Sequence, residues 1–282
     1  MKFGLFGINT GHCRRPETIA RVARAAEAAG FDSVWTAEHI VLPDPQVPPS
    51  PVPPDTFLLD PSAALCFVAA HTQHIRLGTG IIILPQRNPV ELAKELASVD
   101  VLSDGRLIFG LGVGYLESEF AALGKAFHDR GARTDEYIDV LRALWTQASP
   151  RFSGPTVQLQ GMDAHPRPIQ QPHPPIVVGG QSPAAFRRAV ARGNGWYGPA
   201  TPEALPAVLD GIERARAEVD RPAEYGDLEI GIMGMLDVDF EAALRYSDLG
   251  VDRVTLLMQG DNEDEIVRSI EEQAETLVRK FA

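Results

Sequence analysis

Glu38-His39 directly follows a β-branched and aromatic run that ends Trp35-Thr36-Ala37. An imidazole changes charge near neutral pH, so His39 is able to donate or accept a proton at working pH. The adjacent carboxylate either faces another wall or orients a donor, and a loop histidine is equally a polar surface group. Further on stands Gly179-Gly180-Gln181-Ser182-Pro183. Two glycines allow a sharp turn and close approach to a ligand, Ser182 suits a helix N-cap, and Pro183 suits the first helical position. The amides and positive end of such a helix favour a phosphate, although a tight strand-to-helix turn with nothing bound would read the same way. Gly110-Leu111-Gly112-Val113-Gly114 leads to Tyr115 and Glu119. Glu119 reads either as a solvated helix residue or as a carboxylate complementing a helix N-terminus.

Other chemistries are missing their residues. The glycines at 110, 112 and 114 do not complete G-x-G-x-x-G with a suitably spaced acid, so a Rossmann dinucleotide site is disfavoured. Neither a phosphate-loop nor a zinc motif occurs. The four lysines, Lys2, Lys94, Lys125 and Lys280, avoid predicted strand ends, which removes the Schiff-base nucleophile. No acids stand at the ends of the predicted third and fifth strands, against a magnesium-dependent enolase-type barrel.

The elements that must position these residues alternate along the chain. Predicted strands Phe3–Ile8, Ser33–Ala37, Ile75–Leu84, Arg106–Val113, Pro175–Val178, Gly195–Tyr197, Leu228–Met233 and Arg253–Met258 alternate with helices. Those helices are Pro16–Ala29, Pro61–His71 capped by Asp60, Pro89–Leu102, Thr134–Trp145, Pro183–Arg192, Pro202–Val219, Phe240–Gly250 and Glu263–Phe281. Eight strand–helix pairs at this length predict an α/β fold, a single (β/α)₈ TIM barrel spanning residues 1–282. A doubly wound open sheet is the structural alternative. Pro43–Pro54 and Pro150–Pro175 hold 14 of the 23 prolines and interrupt the rhythm. They are expected to be insertion loops near the C-terminal mouth, either lids or stiff detours.

Composition narrows the setting. The 282 residues are 44% hydrophobic and carry a net charge of −12 with mixed signs, which argues against a nucleic-acid partner. No run approaches the roughly 18 apolar residues of a membrane span, and the N-terminus turns polar too early for a signal peptide. Two cysteines, Cys13 and Cys66, cannot make a disulfide framework, so a cytoplasmic location is expected.

Taken together, longer stretches resemble the bacterial luciferase-like, flavin-dependent family, in the branch that uses the deazaflavin coenzyme F-420. The carriers are ARAAEAAGFDSVW at 23–35 with EHIVLP at 38–43, and IRLGTGIIILPQRNPVELAKELASVDVLSD at 75–104. GRLIFGLGVGYLESE at 105–119, RGARTDEY at 130–137 and PPIVVGGQS at 174–182 complete them. The resemblance implies a cofactor across the C-terminal mouth and a non-prolyl cis peptide at Gly80-Ile81 behind the deazaflavin ring. It implies that Gly179, Gly180, Gln181 and Ser182 hold the cofactor phosphate. Glu38 and His39 would lie near the reactive ring, with His39 the proton donor or acceptor, and Gly112, Gly114 and Glu119 would line the mouth. Arg130, Arg133 and Glu136 read as a structural ion-pair cluster.

Where the family often has Asp-His, this chain has Glu38-His39, and its usual Asp-Gly-Trp is here Asn194-Gly195-Trp196. The implied activity is hydride transfer between F-420 and a small organic substrate, in a homo-oligomer, most often a dimer. The alternatives are an FMN-dependent monooxygenase using oxygen and a partner flavin reductase, or a non-catalytic barrel that binds a phosphorylated ligand or a partner protein.

Overall fold

Apolar runs that need both faces covered do assemble into parallel strands wrapped by helices. The computed structural model describes residues 1–234 and 238–281. Its strands are β1 (Lys2–Phe6), β2 (Ser33–Thr36), β3 (Arg76–Thr79), β4 (Leu107–Gly112), β5 (Ile176–Gly179), β6 (Gly195–Pro199), β7 (Glu229–Met233) and β8 (Arg253–Leu257). Each pairs in parallel with the next. β8 returns to β1, from Arg253 against Lys2 to Leu257 against Phe6, and the sheet closes into a barrel. The open-sheet alternative is thereby excluded.

The outer helices are α1 (Pro16–Ala28), α2 (Pro61–Ala69), α3 (Pro89–Leu102), α4 (Glu117–Ala122), α5 (Arg130–Thr146), α6 (Pro183–Arg192), α7 (Leu205–Glu218), α8 (Phe240–Asp248) and α9 (Glu263–Thr276). Asp60 caps α2 as predicted, accepting from the Ala63 amide at 3.1 Å. The Ile75–Leu84 strand is two pieces. β3 stops at Thr79, the Gly80-Ile81 peptide is cis, and Ile82–Ile83 resumes pairing with β4. An uninterrupted apolar run carries no mark of such a break.

α5 begins at Arg130 rather than Thr134, and α4 lies in a stretch that the sequence reading left unassigned. At the C-terminus, α9 ends at Thr276 and a short turn, Val278–Lys280, replaces its predicted last part.

The two proline-rich segments separate. Pro43–Pro54 follows β2 and lies on the mouth side of the barrel. Pro150–Pro175 links the end of α5 to the start of β5, which places its ends at the opposite, N-terminal side. It is pinned there by Asp100 of α3, whose carboxylate accepts from the Ile169 and Gln170 amides at 2.7 and 3.0 Å. It also contains a small antiparallel hairpin, Phe152–Ser153 with Gln158–Leu159. Expecting both insertions at the mouth therefore fails for the second: helices run antiparallel to the strands, so a helix-to-strand link emerges at the far end.

The barrel interior is layered. At the N-terminal end Arg253, 1% exposed in its side chain, pairs with Asp32 and Glu229 and donates to the Ser33 hydroxyl at 2.8 Å. Above it Trp35 stacks on Tyr197 with ring centroids 4.6 Å apart, joined by Ile108 and Val177. The partly buried Phe6, Ile81 and Met233 pack on that layer. They stand at the C-terminal ends of β1, β3 and β7, so the floor of the mouth is apolar.

Candidate functional site

β2 ends one residue before Ala37, and the chain then delivers Glu38 and His39 to the mouth. Their side chains part company. Glu38 turns into the wall: its carboxylate accepts from the Ile83 amide and from the Arg87 guanidinium, which also reaches Asp60 at 3.0 Å. Burial pushes the Glu38 carboxyl up, against the opposing pull of Arg87 and the Ile83 amide. Glu38 thus ties the resumed strand after the cis peptide to the loop beyond β2, and no bond joins it to His39.

His39 is held instead by Glu119, the third residue of α4. Its Nδ1 lies 3.2 Å from Glu119 Oε2, and the other carboxylate oxygen accepts from the Ile40 amide at 2.7 Å. The Glu119 side chain is fully buried and that of His39 is 11% exposed. Of the two sequence readings of Glu119, the solvated residue fails; the carboxylate does stand in the first turn of α4, but its oxygens also meet His39 and the Ile40 amide. A carboxylate at Nδ1 fixes the tautomer with the proton on Nδ1 and leaves Nε2 to face outward. Tyr115, just past the end of β4, places its hydroxyl 3.3 Å from that Nε2.

Burial alone would raise the Glu119 carboxyl. The hydrogen bonds from His39 and the Ile40 amide, helped by the buried Gln86 amide beside it, hold it below the usual range. A depressed carboxyl contributes stability above its unfolded value and loses that contribution as pH falls through the folded value. Acid unfolding should therefore show wild type and Glu119→Gln diverging above the ordinary glutamate range and converging in stronger acid. Parallel curves would mean that the charge on Glu119 adds nothing to the fold.

Across the mouth, β5 ends at Gly179 and α6 begins at Pro183. Gly180 has φ +114°, a conformation that side-chain-bearing residues rarely adopt, and Gly180, Gln181 and Ser182 are exposed. Ser182 is the N-cap of α6, its Oγ accepting from the Ala185 amide at 3.2 Å. The other first-turn amides have no acceptor within the helix, and no acidic residue stands in that turn. Trp196 Nε1 holds the Gly180 carbonyl at 2.7 Å, and the Gln181 amide donates to the Pro199 carbonyl. Gln181 and Pro183 also border a groove of about 510 Å³ between α6 and α7. An exposed turn of this kind suits a phosphate, and the floor of Phe6, Ile81 and Met233 suits a flat apolar ring, so a flavin-type cofactor fits the residues present.

The remaining mouth residues fall into place around these. A Cβ on Gly112 would come 2.6 Å from the Ile81 side chain, so the glycine lets the bulge lie close to β4. The Gly114 carbonyl accepts from Arg130 Nε at 3.2 Å. The expected ion-pair cluster does not form. Arg133 bonds the Pro85 and Ala126 carbonyls and Asp129, while Glu136 accepts from the Thr156 and Val157 amides. Each ties a different loop to α5, so sequence proximity on one helix misled. Tyr115, Gln86 and Arg87 join the site as well; their place just after barrel-strand ends, where barrel sites are built, is the sequence signal that points to them.

The comparisons with known proteins agree with the closed barrel. A Mycobacterium tuberculosis (strain ATCC 25618 / H37Rv) protein provisionally named a coenzyme F-420-dependent oxidoreductase is 29% identical over 312 residues, covering 95% of this chain and 85% of that one. The oxygenase component of a flavin-dependent trigonelline monooxygenase from Acinetobacter baylyi (strain ATCC 33305 / BD413 / ADP1) is 30% identical over 179 residues, 63% of this chain and 46% of that one. The solved structure of the coenzyme F-420-dependent tetrahydromethanopterin reductase from Methanopyrus kandleri superposes with a TM-score of 0.78 at 17% identity, covering 100% of this chain and 99% of that one. The family described as luciferase-like monooxygenase matches residues 1–276, and the chain belongs to it.

Proposed function

We propose that this chain is an oxidoreductase that transfers a hydride between the deazaflavin coenzyme F-420 and a small organic substrate. The observation that carries this reading is the His39–Glu119 pair, fixed at the rim of an apolar floor and opposite the Gly179–Ser182 turn. When bound, the deazaflavin would supply or accept the hydride. The turn and the start of α6 would hold its phosphate, and Phe6, Ile81 and Met233 would support its ring. His39 handles the accompanying proton, Glu119 fixes the imidazole, and Glu38 acts as a positioning residue through Ile83 and Arg87. A homodimer is part of this proposal by family resemblance.

A second reading is favoured by the similarity to the trigonelline monooxygenase component: an FMN-dependent oxygenase fed by a partner reductase. Fluorescence titration of the purified protein with oxidised F-420 and, separately, with FMN separates them. Selective binding of F-420 supports the hydride-transfer reading. Selective binding of FMN overturns it in favour of oxygen chemistry, and binding of neither returns the non-catalytic barrel to first place.

A further inference from the structure

We propose that Tyr115, His39 and Glu119 form a proton relay in which the Tyr115 hydroxyl, not the imidazole, is the end that meets the substrate. The three groups lie in series: Glu119 Oε2 to His39 Nδ1 at 3.2 Å, then His39 Nε2 to the Tyr115 hydroxyl at 3.3 Å. The Tyr115 ring stands edge-on to the imidazole at 84° with centroids 5.8 Å apart, so the phenol covers the outward nitrogen with its polar end. Exposure rises along the same series. The Glu119 side chain is fully buried, that of His39 is 11% exposed, and Tyr115 is 47% exposed. A substrate entering from the mouth reaches the phenol first. Burial and the Glu119 charge both raise the Tyr115 hydroxyl above its ordinary value, keeping it protonated as a relay member requires.

The inference rests on the hydride-transfer reading, and the step balances within it. In reduction of a C=O or C=N substrate, the carbon receives a hydride from the reduced deazaflavin and the π pair moves to the oxygen or nitrogen. That atom takes the Tyr115 proton, and the Tyr115 oxygen takes the Nε2 proton of the imidazolium. His39 is left neutral with its Nδ1–H still on Glu119. Oxidation runs the same transfers backwards.

The test uses ¹⁵N-histidine NMR of the full chain without cofactor, alongside turnover with F-420. Tyr115→Phe should move the His39 Nε2 resonance and leave Nδ1 in place, whereas Glu119→Gln should move Nδ1. With F-420 and substrate, Tyr115→Phe should lower kcat by roughly 10²-fold, as loss of a proton-transfer group does, with cofactor affinity within a few-fold. An unmoved Nε2 resonance or unchanged kcat overturns the relay. A wild-type protein that does not use F-420 overturns the parent reading instead, and the resonance shift still decides whether Tyr115 is bonded to His39.

Discussion

Replacing His39 with alanine is expected to lower turnover by ~10²–10⁴-fold, the usual worth of a positioned proton-transfer group. Affinity for the deazaflavin should stay within a few-fold, because the turn after β5 that is proposed to hold its phosphate and the floor of Phe6, Ile81 and Met233 are separate from the imidazole. The deletion also withdraws one donor from the buried Glu119 carboxylate, whose other oxygen keeps the Ile40 amide at 2.7 Å. A loss of about 1–3 kcal/mol in stability is therefore expected as well. Urea unfolding of the variant should be measured before its kinetics, with His39→Asn as a variant that retains an N–H donor without the titration. Unchanged turnover in a folded His39→Ala protein would remove His39 from the chemistry.

Replacing Gly110 with alanine is expected to cost ~3 kcal/mol or more, the upper part of the range for overpacking a core, or to abolish soluble protein. A Cβ on Gly110 would overlap the Thr79 carbonyl oxygen. Neither partner is free to retreat: Thr79 Oγ1 donates to the Gly110 carbonyl at 2.7 Å and accepts from its amide at 2.8 Å. This is the point where β3 leaves the sheet for the Gly80-Ile81 bulge, so the clash falls on the strand that shapes the mouth. Gly131→Ala is the control. Gly131 lies in α5, where an added Cβ would meet the Arg188 side chain at 3.7 Å, an ordinary contact, and the change should be neutral or stabilising by up to ~1 kcal/mol. Equal urea midpoints for Gly110→Ala and wild type would show that the β3–β4 contact yields.

The barrel was legible because apolar runs and helical periodicity are local signals that recur eight times, and because Asp60, Ser182 and Pro183 mark their helix starts by type. The break in β3 was not legible from its apolar pattern, since Ile75–Leu84 is apolar on both sides of it; the expectation of a cis bond came from family resemblance alone. Glu119 stood out by its place after the glycine run as well as by the resemblance. Its partner did not, because 80 residues separate it from His39 and only the closure of the barrel sets α4 beside the loop after β2. Glu38 takes the first of its two sequence readings and faces the wall, since neighbouring residues in an extended chain point to opposite sides. Arg130, Arg133 and Glu136 failed for a related reason, since their partners come from loops that the helix pattern does not mention.

The Arg253 network has a consequence for the order of events. Arg253, Asp32, Glu229 and Ser33 close the N-terminal end of the barrel, and Trp35 and Tyr197 fill the space above them. Everything that reaches the floor of Phe6, Ile81 and Met233 therefore enters and departs through one doorway. A ring lying on that floor is underneath any molecule that meets Tyr115 and His39 at the rim. On the proposed function, arrival would then be ordered, cofactor before substrate, and departure would reverse it, so a molecule lodged at the rim would trap the cofactor below and slow its exchange.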